Sequence, residues 1–249
     1  MNDDNKPDSK VSSVMKQSGR GAWQAYRKLT YGDLPLHKVM WAEAVALLFS
    51  GMGGALGLLL RSQVYRPLLA EAGPKVLFGR HPTLRHPGKI RIGARTIIDD
   101  HCLLDAKGDS NKGLALGEDV YVGRNTHLYC KNGDIAIGNR VNISAHCTMM
   151  SSNAMTIGDG TVIGAYTYLL SGGEYDYNSA VPYAKQTGMN TRGPLSIGQN
   201  CWLGARVTVL DAASIGDHCV IGAGSVVTRP IPARSLAVGT PAKVVRTLP

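Results

Sequence analysis

From Ile92 onward an aliphatic residue recurs every six positions, in groups of three. The groups open at Ile92, Leu116, Ile137, Ile157, Ile197 and Ile215. They continue at Ile98 and Leu104, Val122 and Leu128, Ile143 and Met149, Ile163 and Leu169, Leu203 and Val209, and Ile221 and Val227. Gly follows each opening aliphatic, at positions 93, 117, 138, 158, 198 and 216. A helix repeats at about 3.6 residues and a strand at about 2, so this period demands another shape. Six-residue strand-and-turn units that stack give a β-helix, an all-β solenoid. Three units make one triangular coil, and the aliphatic residue points inward onto its counterpart in the next coil. Each such burial contributes about 1.5–3 kcal/mol before chain entropy is counted. The Gly is expected where the chain turns a corner and needs an unusual backbone angle.

The group openings lie 24, 21, 20, 40 and 18 residues apart, and every residue beyond the regular coil falls after the third hexad. All the loops therefore leave from one edge of the prism. One of them, residues 171–196, is far longer than the rest. A single-edged set of loops with one long member marks the working face.

Composition agrees with a prism of small side chains. The 249 residues include 30 Gly but only 2 Phe and 3 Trp. Cys102, Cys147, Cys201 and Cys219 share the fifth position of a hexad with Thr96, Thr126, Thr161, Thr167 and Ser225. They read as small inward packing residues. With Cys130 they make an odd five without a C-x-x-C pair, which argues against a disulfide framework and for a reducing compartment. No metal site is expected.

The net charge of +9 admits nucleic acid, a membrane surface or a phosphorylated ligand. No nucleic-acid motif accompanies it and aromatic residues are few, so nucleic acid is set aside. Much of the charge is local, since residues 61–95 carry eight Lys or Arg and one acid, Glu71. That stretch adjoins an apolar run, 39–60, which contains Glu43 and a Gly cluster. The run reads as an interfacial helix, a helix packed in an oligomer, or a span. Flanking cations would suit peripheral membrane contact through residues 39–66. The chain thus divides into a polar arm (1–35) with a short helix near 23–28, an apolar helical segment with a basic collar (36–77), the β-helix (78–246) and a short tail (247–249). No signal peptide is visible, which predicts a cytoplasmic location, at the inner face of the cytoplasmic membrane if the contact is real.

The segments IGAGSVVTRPIP and VGTPAKVVR, with the run LSIGQNCWLGARVTVLDAASIGDHCV before them, resemble the hexapeptide-repeat acetyltransferases that act on sugars and polysaccharides. The resemblance covers about residues 78–246. It implies a left-handed parallel β-helix, a homotrimer with sites in the clefts between prisms, and acetyl-CoA as donor with no metal. It also implies CoA contacts at Trp202, Gly204, Ala205, Ala223, Thr228, Arg229 and Arg246. After Asp217 the chain has Arg229, Arg234, Lys243 and Arg246 and no acid, a stretch suited to the CoA phosphates.

The sequence departs from the family at the base. Similar enzymes carry a catalytic His where this chain has Glu174, at the mouth of the long loop. One coil earlier, where they often carry an acceptor-binding Asn, this chain has His146. The expected arrangement exchanges the roles, with His146 as general base and Glu174 orienting it. The acceptor would be a saccharide hydroxyl, polymeric or lipid-linked. Glu174 acting alone, another His such as His127 supplied across the trimer, sugar N-acetylation, and an inactive scaffold stand as alternatives. A γ-class carbonic anhydrase shares the fold, and His81 and His86 have the spacing of two of its zinc ligands, but no third ligand suggests itself.

Overall fold

A computed structural model describes residues 21–173, 175–186 and 190–249. Most of the polar arm, residues 1–20, lies outside them, as do Glu174 and residues 187–189 of the long loop. The repeat folds as a parallel β-helix. Its first and third faces each carry seven parallel strands, and the second carries nine because a C-terminal hairpin extends it. Registers run aliphatic on aliphatic: Ile92 pairs with Leu116, Val122 with Ile143, and Leu128 with Met149. Ladder residues such as Ile98, Ile143, Leu169, Leu203 and Val209 are buried. The loops all connect the third face to the first, as the spacing predicted.

The stack starts one coil before Ile92. Ala72 pairs with Ile92, Phe78 with Ile98, and Leu84 with Leu104, so 72, 78 and 84 obey the same six-residue rule. The period is obscured there because one inward position is Ala and another aromatic.

The corner glycines differ from expectation in their reason. None of the six adopts a positive φ; that conformation falls two residues later, at Arg95, Asp119, Arg140, Gly160, Asn200 and His218. Gly is required instead by the closeness of the next coil. A Cβ on Gly117 would lie 2.6 Å from the Gly138 carbonyl oxygen.

The inner corners are polar and satisfied. Thr96, Thr126 and Thr161 donate their hydroxyls to the carbonyls of Gly117, Ser144 and Gly198 in the following coil. Cys102, Cys147 and Cys201 direct their thiols at the equivalent carbonyls of Gly123, Gly164 and Gly216. Cys and Thr therefore do the same local work, and all five cysteines are buried and free.

The apolar run folds as two helices. α1 spans Ala22–Thr30, α2 spans Leu36–Leu48 and α3 spans Gly54–Val64. The Gly-rich stretch at 50–53 separates α2 from α3 because Gly weakens helix continuation. Their 13 and 11 residues are short of a span, and among the described residues no helix is long and apolar enough to cross a membrane. The helices cap the open end of the prism. Tyr65 stacks on Phe78 with centroids 5.3 Å apart. Arg61 is buried and donates to the carbonyls of Phe78, Phe49 and Met52, fastening the break between the helices to the first coil. Burial pulls its pKa below the ordinary guanidinium value.

The basic collar is correspondingly thinner than its sequence suggests. Arg61 is inside, Arg80 is paired with Asp100, and Arg95 is paired with Asp119 and Glu118. An apolar surface remains on the helices, where Leu47, Leu48, Leu56 and Leu59 are exposed.

Candidate active site

His146 occupies the corner between the second and third faces, with φ 61°. This left-handed position recurs in each coil, so side chains there stand in a row up the corner. The ring of His146 lies flat on that of Tyr166, with centroids 4.9 Å apart and planes 4° apart. The Arg206 guanidinium lies 5.8 Å from the Tyr166 ring centroid. Stacking orients the imidazole without using its nitrogens. Among the described residues neither ring nitrogen of His146 has a hydrogen-bond partner, which leaves both available to a ligand. Tyr166 and Arg206 escaped the sequence reading. The signal was present, since both share the hexad position of His146 one and two coils on.

The long loop leaves from the other edge of the third face. Its preceding strand is Tyr168–Ser171, and it returns at Leu195–Ile197. Its base is clasped: the Gly173 amide donates to the Asn190 carbonyl at 3.0 Å. The buried carboxylate of Asp211 accepts from the Thr191 hydroxyl and the Arg192 amide. Gln186 holds the loop's interior by bonds to Asp176 and Val181. Tyr175, Tyr177 and Tyr183 are exposed along it. Within one chain the width of the third face separates this loop root from His146. Glu174 itself is outside the described residues.

The other histidines are placed differently. His127 is exposed on the third face, in register with Leu103 and Thr148. His81 stacks on His101 at 5.1 Å. His86 is buried and turned toward Asp105. His81 and His86 thus have separate partners. Among the described residues no group of three His, Cys, Asp or Glu is placed to hold a metal.

Of the residues implied for CoA, the structure gathers four. Trp202 stands exposed on the second face, in register with Val162 and Val220. Gly204 and Ala205 turn the corner beside it, and Ala223 lies directly below, 2.6 Å from where a Cβ on Gly204 would be. Thr228 and Arg229 follow the last strand of the third face, at its opposite edge. Arg246 sits on the terminal hairpin, paired with Leu236 below the second face. One chain therefore presents two separated halves of the implied contact set.

The C-terminal coils match the family model Bacterial transferase hexapeptide (six repeats) over residues 194–229. The match supports the resemblance of these coils to hexapeptide-repeat acetyltransferases. The chain is 31% identical to galactoside O-acetyltransferase of Escherichia coli (strain K12) over 134 residues, 53% of this chain and 63% of that protein. It is 53% identical over 66 residues to a Staphylococcus aureus (strain Mu50 / ATCC 700699) protein named "Putative acetyltransferase", covering 26% of this chain and 33% of that one. The chain thus spans about a third of the length of the staphylococcal relatives it matches. In fold it is similar to a variant of AntD, an N-acyltransferase from Bacillus cereus solved with dTDP and coenzyme A. The TM-score is 0.55 at 19% identity, covering 76% of this chain and 90% of that one.

Proposed function

We propose that this protein transfers an acetyl group from acetyl-CoA to a saccharide hydroxyl, with His146 as general base. The observation that carries the reading is the His146 imidazole, oriented by Tyr166 with both nitrogens unengaged among the described residues, in a chain similar to galactoside O-acetyltransferase. In the reaction His146 takes the hydroxyl proton as the sugar oxygen attacks the thioester carbonyl. A backbone N–H stabilises the resulting oxyanion. The C–S bond then breaks, and the CoA thiolate recovers the proton from the imidazolium. Charges and protons balance without a metal.

The geometry favours a site between copies of the chain. The His146 corner and the loop root lie on opposite edges of one face, and Thr228 and Arg229 lie at the edge opposite the corner formed by Gly204 and Ala205. A homotrimer would set the corner of one prism against the loop edge of the next, so that Glu174 of one copy serves His146 of another and Trp202, Gly204, Ala205 and Ala223 face Thr228 and Arg229 across the cleft. Sedimentation should then give three chains per particle, and a stable monomer with full activity would refute the shared site. The exposed leucines of α2 and α3 support contact with a membrane carrying a lipid-linked acceptor; a protein that ignores anionic vesicles would remove that part.

The test of the reaction compares a glycoside bearing only hydroxyls with its amino-sugar counterpart, using acetyl-CoA labelled in the acetyl group. The reading expects an alkali-labile ester on the glycoside. Transfer confined to the amine would replace it with N-acetylation, and no transfer to either would favour a scaffold.

A further inference from the structure

At the capped end of the prism lies a cavity of about 900 Å³ that takes no part in the reaction proposed above. Three elements enclose it: the end of α1 with the turn into α2, the third corner of the first coil, and the loop after Asp105. Lys28, Lys38 and Lys107 line it, one from each of α1, α2 and the loop. None of these three ammonium groups has a hydrogen-bond or ion-pair partner among the described residues. Lys89, also in the lining, does have partners. It donates to the Gly108 carbonyl and the Asn111 side chain, which fixes the loop as a wall.

The floor is built as well. His86 and Asp105 are both buried, and the His86 Nδ1–H donates to the Asp105 carboxylate at 3.2 Å. Asp105 also accepts the Lys107 amide, tying the floor to the loop. The His86 ring is packed against Gly32, where a Cβ would come within 2.8 Å of Cδ2. Beside it, the Arg27 guanidinium donates to the carbonyl of Leu34, a lining residue, and holds the turn between α1 and α2. The walls are therefore in place before any ligand arrives, which reduces the ordering cost of binding.

The charge pattern selects the ligand. A carboxylate is best met by the planar fork of a free Arg, and among the described residues the lining has none. Unpaired ammonium groups are compact point charges that suit a multiply charged phosphate. Asp33, Asp109 and Asn132, also in the lining, offer acceptors for hydroxyl groups on the same ligand.

We propose that this cavity is a second binding site, for a phosphate- or pyrophosphate-bearing molecule held by Lys28, Lys38 and Lys107 over the His86–Asp105 floor. The inference does not depend on acetyl transfer, because its readout is binding alone. Inorganic pyrophosphate titrated into the full-length protein should bind saturably. A triple variant with Lys28→Gln, Lys38→Gln and Lys107→Gln should bind at least tenfold more weakly at an unchanged melting temperature. A charge-matched control with Lys75→Gln, Lys131→Gln and Lys185→Gln, exposed lysines outside the lining, should bind like the parent. Phosphatidylcholine vesicles containing phosphatidic acid distinguish the source. Cosedimentation that pyrophosphate competes and the triple variant loses identifies a lipid headgroup; pyrophosphate binding without vesicle capture identifies a soluble ligand. Absence of saturable binding of either probe, or equal binding by the cavity variant and the parent, overturns the proposal.

Discussion

The orientation of His146 rests on one backbone fact: its left-handed φ puts the side chain on an outer corner, where Tyr166 below it can hold the ring flat. A surface histidine without that stack would sample many orientations. His146→Ala should lower acetyl transfer by about 10²–10⁴-fold, the usual worth of a positioned acid–base group. Its melting temperature should stay near the parent's because the side chain is exposed. A parent-like rate would eliminate His146 as the base. The cysteines make the opposite kind of prediction. Burial pushes Cys102, Cys147 and Cys201 up to about 11 and Cys130 up to about 12. A free thiol titrates near ~8.5, so the folded form holds these protons more tightly than the unfolded chain does. Stability should be intact below that free value and fall as pH rises from it toward the folded values. Urea unfolding at pH 8 and pH 10 measures the loss. Cys147→Thr, which installs the residue already used at 126 and 161, should reduce the slope. The cysteine role was readable in the sequence because a shared hexad position carries a shared contact. Tyr166 was equally readable on that basis, but a ladder of unlike residues is hard to recognise before it is seen stacked.

At the scale of coils and helices, the spacing of aliphatic residues was enough to place faces, corners and the loop edge, because an inward position must recur wherever a coil closes. It was not enough to explain the glycines. The distance between coils is a property of two chain segments together, and sequence shows one at a time. Gly117→Ala should destabilise the protein by about 3 kcal/mol, as expected when a well-packed site is overfilled, although the φ there suits Ala. A change below about 0.5 kcal/mol in urea unfolding would show that the neighbouring coil yields and that its closeness does not require Gly. The apolar run was legible as hydrophobic but not as two elements. What settles it is Arg61, whose buried charge serves three carbonyls around the break between α2 and α3. Arg61→Met should cost about 3 kcal/mol, since charged hydrogen bonds are lost and buried acceptors are left unpaired. Chemical unfolding reads the cost, and a neutral result would mean that the cap holds without its fastening.

For the whole molecule, the prism divides labour along its axis. The helices close one end and enclose the lysine-lined cavity. The middle coils carry the His146 stack and the clasped loop, and the last coils carry Trp202 and the implied CoA contacts. The resemblance to hexapeptide-repeat acetyltransferases was legible from the C-terminal motifs alone, which are also where the hexapeptide model matches. The site was legible only in part, because the separation of the His146 corner from the loop root across the third face appears only once the coil is closed. The central claim is acetyl transfer from acetyl-CoA to a saccharide, and CoA thiol release followed with and without acceptor tests it most directly. Release should saturate with both acetyl-CoA and saccharide and be lost in His146→Ala. Release that ignores the saccharide, or that His146→Ala leaves intact, would contradict it.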